Sequence, residues 1–72
     1  MKSYVTFGQA HAHAINGQVF DKDCVAVIEH EKDYQGREKA FELFGQKWGW
    51  IYSEENFNND VMKFYPRGFI EV

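Results

Sequence analysis

Apolar and polar positions alternate near both ends of this chain and fall into a helical period in its middle. Ser3-Tyr4-Val5-Thr6-Phe7 is rich in β-branched and aromatic residues and reads as a strand. Asn16-Gly17 follows, flanked by Ile15 and Val19. Asn-Gly is the strongest short hairpin signal, because a type I′ turn needs positive φ at both central residues. With those two residues as the loop, Ile15 pairs with Gln18, His13 with Phe20, His11 with Lys22, Gln9 with Cys24 and Phe7 with Ala26. Val5, Phe7, Cys24, Ala26 and Ile28 then share one face, with the histidines nearer the tip. Tyr4, Thr6, Asp21, Asp23, Val25, Val27 and Glu29 share the other. Gly8 is the expected bulge in so long an arm, and a slip of one residue there would exchange the two faces.

The period changes at Asp33, where residues 33–45 read as the main helix. Asp33 is placed to cap it by accepting backbone N–H bonds, and Gly45 to end it in a left-handed conformation. Ala40, Phe41, Leu43 and Phe44 make its apolar stripe, with Phe41 and Phe44 expected in the core, while Arg37, Glu38, Lys39 and Glu42 face water. Gly36 in the first turn signals fraying or a close approach of backbone. Trp48-Gly49-Trp50-Ile51-Tyr52 is a β-prone run, and Ser53-Glu54-Glu55-Asn56 a single helical turn. Val61 to Tyr65 and Gly68 to Val72 read as short extended segments flanking a turn at Pro66-Arg67. The expectation is one α+β domain over residues 1–72, a small antiparallel sheet with one helix on one face.

Composition sharpens this picture. Two Trp, four Tyr and seven Phe in 72 residues exceed what so small an interior can hide, since each buried aromatic removes about 150–250 Å² from water. The surplus must stand partly exposed, and exposed aromatics rimmed by charge make recognition surfaces. Cys24 is the only cysteine, which rules out an internal disulfide and points to a reducing cytoplasm. No apolar run approaches the ~20 residues of a membrane span. The net charge of −3 weighs against nucleic-acid binding, which draws most of its affinity from basic residues on phosphates.

Three constellations could carry chemistry. His11 and His13 stand two apart on a strand, so with Cys24, and with His30 as a further candidate, they form a zinc-compatible set. The spacing fits no zinc motif, and Lys22 and Gln9 intrude, so the plainer expectation is solvated histidines beside a buried thiol. Glu38 and Glu42 lie one turn apart, with Asp21, Asp23 and Glu29 elsewhere; on an open helix face such carboxylates are simply ionised. No serine has a base and an orienting partner in sequence, and no Gly-rich loop cradles phosphate, so catalysis is disfavoured and no cofactor is implied. The third set is aromatic: Trp48, Trp50, Tyr52, Phe57, Phe64, Tyr65 and Phe69, with Arg67 beside them. Some must pack under the helix. Trp48, Trp50, Tyr65 and Arg67 are the expected binding anchors, because Trp, Tyr and Arg dominate interface hot spots.

Tyr4-Val5-Thr6-Phe7-Gly8-Gln9, the stretch Gly36-Arg37-Glu38-Lys39-Ala40-Phe41-Glu42-Leu43-Phe44-Gly45, and the end Tyr65-Pro66-Arg67-Gly68-Phe69-Ile70-Glu71-Val72 resemble a family of very short bacteriophage and prophage proteins. The resemblance spans nearly the whole chain but carries over no activity or site residue. It implies a context, a viral protein in the host cytoplasm that binds and redirects a host protein such as a restriction or CRISPR effector. The expected function is therefore a small protein-binding module, an inhibitor or modulator of a host protein, with pairing to a second copy as a way to complete its core. The alternatives are a metal-dependent or nucleic-acid-processing enzyme using His11 and His13, or a single-stranded nucleic-acid binder using the aromatic face. The second lacks a basic groove, with only Lys47, Lys63 and Arg67 near in sequence.

Overall fold

In the computed structural model, which describes Met1–Val72, the Asn-Gly signal produces the turn it predicts. Asn16 has φ 52° and Gly17 φ 82°, and the strands β2 (His13–Ile15) and β3 (Gln18–Phe20) pair as His13↔Phe20, Ala14↔Val19 and Ile15↔Gln18. The hairpin stops there. Gly8, at φ 64°, turns the chain, and β1 (Lys2–Thr6) pairs with β4 (Cys24–Glu29) in a separate sheet, with Val5 opposite Ala26. The expected Phe7–Ala26 pairing is thus displaced by two residues. An even displacement leaves every side chain on its expected face. Val5, Phe7, Cys24, Ala26 and Ile28 do share the inner face, where Phe20, Ala40 and Phe44 complete the buried core.

Helix α1 runs Asp33–Phe44 over that face. Its buried positions are Gly36, Ala40 and Phe44, one residue every four, so a narrow strip with two small residues brings the helix close to the sheet. Phe44 meets Phe7 edge-to-face at 4.9 Å and Phe20 at 5.6 Å. Phe41 is rotated off this strip and remains 43% exposed, which corrects the expectation that it is core. Asp33 is inside the helix, not its cap: Gln35 Oε1 accepts from the Glu31 and Lys32 amides, each at 3.0 Å. Gly45 ends the helix at φ 63°, its amide donating to the Phe41 carbonyl at 2.9 Å.

The strand order is β5-β1-β4-β6, where β5 is Trp50–Ser53 and β6 is Gly68–Glu71. Only part of this sheet is antiparallel. β6 runs parallel to β4, with Val25↔Phe69 and Ala26↔Ile70, which corrects the all-antiparallel expectation. The cause is directional: β5 and β4 both run against β1, so β5 and β6 point the same way and their connection must travel back along the sheet. It does so across the outer face, through a turn at 54–56 and a 3-10 helix at Asn59–Phe64. That helix replaces the extended segment expected at Val61 to Tyr65. The Asn58 side chain starts it by accepting the Asp60 amide at 3.0 Å, and Tyr65, restricted by Pro66, ends it.

Candidate binding surface

The register fixes which side chains meet on the outer face. Thr6 stands opposite Trp50, Tyr4 opposite Tyr52, and Val25 opposite Phe69. Phe57, carried over the sheet by the connection, packs against this set: its ring lies 4.9 Å from Tyr4, 5.5 Å from Tyr52 and 5.8 Å from Phe69. Phe57 is only 6% exposed, so the outer face has a small core of its own. Burial first, and the neighbouring Tyr52 phenol second, raise the Tyr65 hydroxyl above its ordinary value.

Three large apolar side chains remain in water around this layer. Trp50 is 62% exposed, Phe64 67% and Phe69 45%. Trp50, first in β5, and Phe69, second in β6, stand on the two edge strands at the same end of the sheet, and the Tyr65-Pro66-Arg67 turn lies at that end too. Arg67 is tied down there. Its guanidinium reaches Asp21 Oδ1 at 3.3 Å, and its amide donates to the Asp23 carbonyl at 2.9 Å. Such a contact on the surface adds little stability but fixes where the turn sits.

Trp48 parts company with Trp50. Gly49 presses its backbone onto β1, donating to the Thr6 carbonyl at 2.7 Å, and a Cβ there would lie 3.0 Å from the Gly8 nitrogen. Trp48 therefore lies outside the strand, on the helix side. Its indole N–H donates to the Gly45 carbonyl at 2.9 Å and its ring meets Phe41 at 5.3 Å. Arg37 lies over both rings, at 5.6 and 5.7 Å from their centroids, and ion-pairs with no carboxylate. Of the four expected anchors, Trp50, Tyr65 and Arg67 belong to one end of the sheet, and Trp48 belongs to a separate helix-side cluster that includes Arg37 and Phe41. The 3.6-residue period could have placed Arg37 and Phe41 on one helix face; nothing local ties Trp48 to them.

The proposed metal ligands do not converge. No group of three His, Cys, Asp or Glu side chains is placed to hold an ion. The His13 Nε2 contacts the Lys47 carbonyl oxygen, and its ring packs 5.1 Å from Phe44. Cys24 is buried with its thiol directed at the Asp21 carbonyl. Burial pushes that thiol above its ordinary value, against the opposing pull of the Asp21 hydrogen bond and Arg67. Glu38 and Glu42 are both exposed.

One juxtaposition had no sequence signal. Ser3, on the inner face of β1, and His30, just beyond β4, are buried and joined at 2.7 Å, and a side chain at Gly36 would strike both. Glycine is thus needed at 36 for close approach.

No family model, curated protein or solved structure matches the chain. No helix is long and apolar enough to cross a membrane.

Proposed function

We propose that this chain is a small protein-binding module whose contact surface is the rim of the outer sheet face, with Trp50 as its main anchor. Phe64 and Phe69 supply further apolar area, and Tyr65 and Arg67 border it. The observation that carries this reading is the contrast between Phe57, which is buried, and Trp50 and Phe64, which are more than half exposed. The outer layer already has a filled interior, so these rings are not core residues left uncovered for want of space. Exposed Trp on one rim, with Tyr and Arg at the same end of the sheet, supplies the residue types that dominate interface hot spots. The resemblance to short phage and prophage proteins supports a bacterial host protein as the partner, and a defence effector such as a restriction or CRISPR nuclease as the class to test first.

Capture from bacterial lysate on immobilised protein tests this. Trp50→Ala should keep the native circular dichroism spectrum and weaken capture by about 2 kcal/mol or more, roughly thirtyfold. Phe41→Ala, on the helix side, serves as the control and should leave capture unchanged. Equal capture by native protein and by the Trp50→Ala and Phe69→Ala variants would remove the outer rim as the contact surface.

A further inference from the structure

The Ser3–His30 contact has the order of groups that an activated serine requires. Ser3 Oγ lies 2.7 Å from His30 Nε2, and His30 Nδ1 lies 2.7 Å from the Lys32 carbonyl oxygen. A carbonyl only accepts, so Nδ1 carries the ring proton. In the neutral ring Nε2 is then a lone pair, and the serine hydroxyl donates to it. Nucleophile, base and orienting acceptor follow one another, with a main-chain carbonyl where a carboxylate often stands.

The surroundings suit a reaction. Both side chains line an open cavity of ≈ 560 Å³, whose other walls include Asp33, Ser53, Glu54 and Glu55. Three carboxylates outnumber the two cations there, Lys2 and the Met1 ammonium, which donates to the His30 carbonyl at 2.7 Å, so the mouth is mildly acidic. The Asp33 and Tyr34 amides, first in α1, donate to nothing in the chain, so the positive end of the helix dipole faces the same wall. At position 36 glycine keeps side-chain atoms off the pair, since a Cβ would come within 2.8 Å of His30 Nε2.

We propose that Ser3 is a nucleophile with His30 as its general base, and that the cavity accepts small acyl esters bearing a positive charge. Ser3 Oγ bonds to the acyl carbon as its proton passes to His30 Nε2. The bond to the leaving alkoxide breaks, and Nε2 returns the proton to that oxygen. Water then attacks the acyl-serine and gives a proton to Nε2; the Oγ–acyl bond breaks, the proton goes to Oγ, and the carboxylic acid departs. This site is on the inner face, away from the outer binding rim, and does not depend on it.

The test uses the full chain with 4-nitrophenyl acetate, its trimethylammonio-substituted analogue, and a fluorophosphonate read by intact mass and peptide mapping. The expected result is a phosphonyl adduct on Ser3 and ester hydrolysis faster than Ser3→Ala by on the order of a hundredfold. The cationic ester should react faster than the neutral one. His30→Gln can keep both hydrogen bonds, accepting from Ser3 and donating to Lys32, but is not a base; it should stay folded and lose the reaction. Phosphonate on another residue, or hydrolysis unchanged in Ser3→Ala or His30→Gln, would reduce the pair to a packing contact. Equal rates for the two esters would overturn the charge preference. Should a variant fail to fold, adduct mapping on the native chain decides the matter.

Discussion

Gly36→Ala should destabilise this protein, although the same change in an exposed helix stabilises by up to ~1 kcal/mol. Gly36 faces the sheet, and an added Cβ would lie 2.8 Å from His30 Nε2 and 2.9 Å from Ser3 Cβ, with Ser3 Oγ closer still. All three contacts are closer than Cβ atoms tolerate, and all are to the buried residues Ser3 and His30, so the helix must lift. Overpacking of this kind costs about 1–3 kcal/mol. Separating Ser3 from His30 would leave buried polar groups without partners, at roughly 1–3 kcal/mol more if unrelieved. The propensity gain offsets part of this, and the net loss should be about 1–3 kcal/mol. Urea denaturation followed by tryptophan fluorescence reads it directly. With a slope of ~1 kcal/mol/M for a chain of this size, the midpoint should fall by about 1 M or more. Removing the nearest obstacle should relieve the clash, so Gly36→Ala should cost less in a Ser3→Ala background than alone. An unchanged or higher midpoint for Gly36→Ala would refute the close approach of helix and strand.

Gly17→Val should lower the denaturation midpoint, because Gly17 sits at φ 82° and a β-branched residue is strained there. Phe44→Ala should cost about 3–5 kcal/mol, against a much smaller loss for Phe41→Ala; equal midpoint shifts would contradict the buried strip of α1. Stability should hold near neutral pH and decline as pH rises into the alkaline range. Cys24 and Tyr65 both hold their protons more tightly when folded, so the unfolded chain ionises first and is favoured. Thermal melts across that range should show the decline, and Cys24→Ala should make it shallower.

What could be read in the sequence was local or periodic. Asn16-Gly17 sets its own dihedrals, so the turn and the three pairs beside it needed no distant information. The faces of β1 and β4 were legible because alternation survives an even displacement of register. Gly36 in the first turn signals fraying or a close approach; which of the two holds depends on Ser3 and His30, which come from other elements. The parallel β4–β6 pairing depends on the path of residues 54–67, which no window of sequence contains. Phe41 lies outside the core although it is apolar, because apolar character at 40, 41, 43 and 44 does not say which arc of the helix turns inward. The separation of Trp48 from Trp50 depends on Gly49 docking against β1, a contact between segments far apart in the chain. The aromatic surplus was visible in the composition. Which rings would be spare was decided by Phe57, whose position is set by the crossover.

Strand β4 is flanked on both edges, by β1 and by β6, and its apolar run Cys24-Val25-Ala26-Val27-Ile28 is buried throughout. Its second edge is covered by residues 68–71, which are synthesised after it. During synthesis, or after loss of that strand, β4 would present open hydrogen-bonding groups along a β-branched, uncharged segment, the kind of template on which chains add edge to edge. Gly68–Glu71 therefore acts as a guard against self-association as well as a member of the sheet.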